Sequence, residues 1–177
     1  MRQRLPKLLS PKLRVLLIEF SPNFLKEVGA FLDLNSKMIV HTAVFSIKTQ
    51  GQGTYEITDA VTDIVRASGV QAGTVTIFVQ HTSASLVIYE NADQSARVDL
   101  HAFFQRLCPE DDDSFTHRSE GPDDMPAHLR TILTRTSEVI PIFGGQVQTG
   151  TWQGVFLFEH RRAPQVRKVV ISVIGIC

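Results

Sequence analysis

The chain has 177 residues, 43% of them hydrophobic, with 18 basic and 18 acidic side chains and a formal net charge of zero. That composition excludes global disorder and a strongly electrostatic nucleic-acid or membrane-surface binder, and it suits a globular domain with a sizeable core. Two cysteines, Cys108 and Cys177, are too few for a disulfide framework, and no apolar run approaches the roughly 20 residues that span a bilayer, so a cytoplasmic protein is expected.

Residues 1–37 differ from the rest. They hold seven basic and three acidic residues and three prolines, with a short helical pattern only over about 22–33. They read as a weakly ordered extension, or as sequence upstream of a start at Met38. Regular patterning begins at Met38. Ala43, Phe45 and Ile47 alternate with Val44, Ser46 and Lys48, which predicts a strand. A short strand then gives way to a helix, with Thr58 as its N-cap and Gly69 as its stop.

A strand over 74–80 places Val75, Ile77 and Val79 on one side, and 85–89 reads as another. Asn91 is the expected cap of a helix whose Ala96, Leu100, Phe103, Phe104 and Leu107 share a face. Pro109 ends it, and an acidic loop runs to Asp124. The next helix spans about 125–135, with Pro126 in its first turn and Leu129, Ile132 and Leu133 expected inward. Strands at 138–143 and 146–150 flank Gly144-Gly145, a two-residue hairpin signal, and strands at 151–160 and 166–176 follow. This order predicts an α+β fold: a compact single domain over 38–177 with a mainly antiparallel sheet or sandwich and about three helices.

The histidines match no local zinc spacing such as HExxH, and there is no CxxC. A serine nucleophile beside His81 lacks the GxSxG context, so Ser83 and Ser85 suit anion binding better than acyl transfer. The adjacent acids Asp123 and Asp124 lie just before a helix, with His128 five and four residues on, which capping alone explains poorly. Trp152, between glycines and beside Gln153, can stack on a heteroaromatic ring or fill a core position. Arg161, Arg162, Arg167 and Lys168 can meet phosphate or keep a strand edge soluble.

Three blocks, 80-QHTSASLVIYENAD-93, 117-HRSEGPDDMPAHL-129 and 147-VQTGTWQGVFLFEHR-161, together resemble the YjbQ family, which is named after a secondary thiamine-phosphate synthase activity. The resemblance implies a homotrimer with a polar pocket near a subunit interface. It implies catalytic roles for His81, Asp93, His128 and Glu159. Substrate binding falls to Thr82, Ser83, Asn91, Asp123, Asp124, Trp152, Gln153 and Arg161, and a divalent metal, Mg or Zn, to His81, His117 and His128. The implied reaction joins an aminopyrimidine methyl diphosphate to a thiazole phosphate and releases pyrophosphate. Two alternatives share these residues: a metal-dependent enzyme acting on another small phosphorylated or heterocyclic substrate, and a non-catalytic trimer that binds a small anion or metal.

Overall fold

The structure, a computed structural model, describes residues 37–177, which form one unit. The N-terminal extension and the helix expected over 22–33 lie outside the described residues. Eight strands and three helices follow in the order β1 (Met38–Thr49), β2 (Gly53–Glu56), α1 (Thr58–Ser68), β3 (Ala72–Val79), β4 (Ala84–Glu90), α2 (Gln94–Leu107), α3 (Asp124–Leu133), β5 (Ser137–Phe143), β6 (Gln146–Val147), β7 (Gln153–Glu159) and β8 (Gln165–Ile176). They build a five-stranded sheet, β1-β8-β3-β5-β6, and a three-stranded sheet, β2-β7-β4. Every strand pair is antiparallel, so the expected α+β architecture holds. Among the described residues no helix is long and apolar enough to cross a membrane.

The core follows from period-two alternation. Val75, Ile77 and Val79 of β3, Ile140 and Ile142 of β5, and Val169, Ile171 and Val173 of β8 form one cluster with Leu86 of β4 and Val155 and Leu157 of β7. Val61 and Val65 of α1 join it. Each such side chain, fully removed from water, contributes about 1.5–3 kcal/mol. Strand β7 is buried on both faces. Its Val155 and Leu157 meet the larger sheet, while Phe158 meets Phe104 of α2 edge-on, ring centroids 5.5 Å apart.

Local chemistry differs from expectation at three helix features. Thr58 begins α1 without capping it; its hydroxyl donates to Glu56 and accepts from the Val155 N–H, tying the helix to β7. Asp93, not Asn91, caps α2, accepting from the Ser95 N–H at 2.8 Å. Helix α3 turns its polar side inward: Asp124, Ala127, Arg130 and Thr131 are buried, while Ile132 is 75% and Leu133 56% exposed. The Gly144-Gly145 turn forms as expected, both residues at positive φ (58° and 72°).

Candidate metal centre

The start of α3, the loop before it and the segment after β7 converge on one carboxylate. Asp124 is 1% exposed. Its Oδ2 lies 2.8 Å from His117 Nε2 and 3.4 Å from His128 Nε2. Its Oδ1 meets the Arg161 guanidinium. His117, Asp124 and His128 each offer one ligand atom, and these atoms lie within 4.8 Å of one another. Asp124 and His128 share a helix face because they are one turn apart. His117 arrives from the acidic loop and also lines a cavity of about 240 Å³ with Phe115 and Met125.

Hydrogen bonding orients the His128 ring. Its Nδ1 lies 2.8 Å from the Thr82 carbonyl oxygen, which only accepts, so Nδ1 carries the proton. The ring then turns its Nε2 toward the Asp124 carboxylate. At 3.4 Å, either a proton on Nε2 or a metal ion between the two atoms makes this approach attractive. A carbonyl behind a histidine that faces a carboxylate is the outer support that metal-ligating histidines carry.

Arg161 braces this arrangement. It donates to Asp123 Oδ2 at 3.2 Å and to the Glu120 carbonyl at 2.7 Å, in addition to Asp124. Burial pushes the Asp123 carboxyl up. The Arg162 backbone N–H, at 2.8 Å, and the Arg161 guanidinium outweigh it and hold the carboxyl below its ordinary value.

A second network stands alongside. Glu159 is fully buried. It accepts from Thr49 Oγ1 at 2.9 Å, from the backbone N–H groups of His160 and Arg161 at 3.0 Å, and from Arg167 Nε at 2.7 Å. Arg167 in turn donates to Ser83 Oγ at 3.1 Å. His81 Nε2 accepts from the Lys168 N–H at 2.8 Å, and Arg167 Nη1 lies 3.4 Å from its Nδ1. Burial first, then the Arg167 charge, lower the His81 pKa and favour its neutral form.

Residues 43–176 match the model of the family described as UPF0047 protein YjbQ-like. The chain belongs to that family. The UPF0047 protein sll1880 of Synechocystis is 50% identical over 135 residues, 76% of this chain and 92% of its own length. The UPF0047 protein YjbQ of Escherichia coli O157:H7 is 40% identical over 136 residues, 76% and 96% of the two chains. The crystal structure of a YbjQ-like protein of unknown function from Sulfolobus solfataricus superposes with a TM-score of 0.73 at 27% identity, covering 78% of this chain and 99% of that one.

On this UPF0047 fold the expected site residues divide between two ends of the smaller sheet. Ala84 pairs with Glu159 at one end of β4 and β7, and Glu90 with Gln153 at the other. Six steps of about 3.3 Å separate the ends by about 20 Å. His81, Thr82, Ser83, Glu159 and Arg161 lie near the first end, and the Thr82 carbonyl links it to His128. Asn91, Asp93, Trp152 and Gln153 lie at the second. There the Asn91 N–H donates to the Trp152 carbonyl, Gln153 Oε1 accepts from the Gly150 N–H, and Trp152 is 64% exposed.

Individual roles shift accordingly. His81, expected as a metal ligand, is outside the three-residue cluster, and Asp124, expected to bind substrate, stands in its place. Glu159, expected to be catalytic, is fully buried with both oxygens engaged by Thr49, Arg167 and two backbone N–H groups. Arg161, expected on substrate phosphate, is committed to Asp123 and Asp124. Asp93 is a helix cap. The Asp124–His128 spacing was the one available sequence signal for the cluster; the supporting Thr82 carbonyl is backbone and carries none.

Proposed function

We propose that His117, Asp124 and His128 bind a divalent metal ion and that the chain is a metal-dependent enzyme acting on a small phosphorylated heterocycle. The observation that carries this is the convergence of the His117, Asp124 and His128 ligand atoms within 4.8 Å of one another, with the Thr82 carbonyl behind the His128 ring. Two imidazoles and one carboxylate suit zinc or a similar transition metal; magnesium prefers an all-oxygen shell. Three protein ligands would leave a position for water or substrate, the pattern of catalytic rather than structural zinc. Within the family's implied chemistry we assign thiamine phosphate formation as the reaction. A bound cation would stabilise the charge that builds on departing pyrophosphate. Arg161 holds Asp124 in place, and the neutral His81 beside Ser83 offers polar, uncharged surface to the heterocycle.

The homotrimer belongs to the same proposal. The outer face of the five-stranded sheet exposes Val40, Val44, Phe78, Val139, Phe143 and Ile174, an apolar surface of the kind subunits cover. A neighbouring subunit is also the means by which Trp152, at the far end of β7, could reach this site in the assembly.

The test combines metal analysis of the purified chain with an assay of thiamine phosphate formation from the two half-substrates, for wild type and His128→Ala. Zinc at one per chain and turnover lost in the variant support the reading. Metal binding without turnover would sink the synthase assignment and favour a metal-binding protein. Absence of both would overturn the metal centre.

A further inference from the structure

Arg130 lies on the inward side of α3 and is 1% exposed. Among the described residues no carboxylate lies within ion-pair distance of it. Its Nη2 donates to the Cys108 carbonyl at 2.9 Å, closing the end of α2. Its Nε is buried with no acceptor. A guanidinium taken out of water with so few partners lacks the counter-charge that buried cations require.

The same side chain lines a cavity of about 380 Å³, together with Gln105, Arg162 and the acids Glu110 and Asp111. Arg162 reaches it from the segment after β7, its side chain 67% exposed at the rim. Arg162 Nη2 lies 2.6 Å from Glu110 Oε2, in contact but outside hydrogen-bond geometry. Glu110 Oε1 accepts from Gln52 at 3.3 Å. Glu110 therefore pairs with the rim arginine; its charge also favours the Arg130 cation, but it makes no direct contact with it. Its own hydrogen bonds are weak enough for a better acceptor to replace it. His160, also near Arg130, is neutral at physiological pH and supplies no counter-charge.

We propose that Arg130 and Arg162 form a binding subsite for a small oxyanion, a phosphate or a carboxylate. The forked donors of arginine match both groups. The anion accepts from Arg130 at the base of the cavity and from Arg162 at its rim, displacing the Glu110 carboxylate from Arg162. The subsite shares no side chain with the histidine–aspartate cluster and does not depend on a metal being there.

The experiment titrates inorganic phosphate, and separately acetate, into the full-length chain by calorimetry, once depleted of metal on a chelating resin and once zinc-loaded. Saturable binding of phosphate alone assigns a phosphate group; of acetate alone, a carboxylate. Arg162→Gln weakens that binding about tenfold, and Glu110→Gln, which removes the competing carboxylate, tightens it. Arg162 lies at the rim, Glu110→Gln keeps the size of a side chain that is 16% exposed, and a melting curve of each variant checks that it is folded. No saturation by either anion in either state overturns the proposal. So does binding that requires zinc and ignores both substitutions.

Discussion

Asp124 and His128 sit one helical turn apart with Oδ2 and Nε2 turned toward each other and separated by 3.4 Å. Asp124 is buried, its other oxygen is held by Arg161, and His128 is prevented from turning away by its bond to Thr82. The pair is held in the geometry that the proposed metal centre requires.

His128→Ala is therefore expected to lower zinc affinity by roughly a hundredfold or more, since it removes one of the three proposed ligands. Removing metal from wild type lowers the thermal midpoint by several degrees, because a ligand present at about 100 times its Kd stabilises by about 2.7 kcal/mol. Calorimetric zinc titration and melting curves check both. Unchanged midpoints with and without zinc would contradict the assignment.

The Glu159–Arg167 pair behaves differently, because neither partner reaches solvent. Glu159→Gln leaves the Arg167 charge buried and is expected to cost about 3–5 kcal/mol. Combining Glu159→Leu with Arg167→Met should cost less than the sum of the two single changes. Urea denaturation of the four proteins measures the coupling. Additive losses would mean that the pair is not a unit.

Asp93 separates local from functional roles. As the cap of α2, exposed and bonded to Ser95, it supports the helix about 20 Å from the His128 end of the smaller sheet. Asp93→Ala should lower the melting temperature modestly and leave zinc affinity unchanged. A zinc affinity that falls with the cap would place Asp93 near a metal centre, which in this fold requires a neighbouring subunit.

How much of this was legible depends on the range of the interaction. The strands declared themselves through alternation, as in Ala43, Phe45 and Ile47, and the Gly144-Gly145 turn through the positive φ that only glycine adopts freely. The Asp124–His128 pair was legible because its spacing is one helical turn. Helix α3 misled: Ile132 and Leu133 are its apolar residues, yet the inward face is set by Asp124 and Arg130, and periodicity records hydrophobicity, not which polar groups find partners. The block 80–93 contains a whole strand, so His81 and Asp93 fall at opposite ends of it. Its compactness in sequence was no guide to compactness in space. Glu159 and Arg167 meet across a turn that sequence does not register, and His117 joins its cluster only when the acidic loop folds back.

His160 predicts a pH response. It is 1% exposed, its Nε2 pairs with Ser85 Oγ at 2.8 Å, and its Nδ1 has no partner. Burial, then the charges of Arg130 and Arg167, push its pKa down from 6.5 to about 3. The unfolded chain binds a proton at His160 near pH 6.5, and the folded chain does not until about pH 3. The stability contribution is therefore complete above pH 6.5 and declines as pH falls, by up to about 1.4 kcal/mol per pH unit. Urea midpoints between pH 7 and pH 5 should fall steadily in wild type and more shallowly in His160→Gln, which keeps a polar group beside Ser85 but cannot titrate. Parallel slopes in the two proteins would assign the acid sensitivity to other groups.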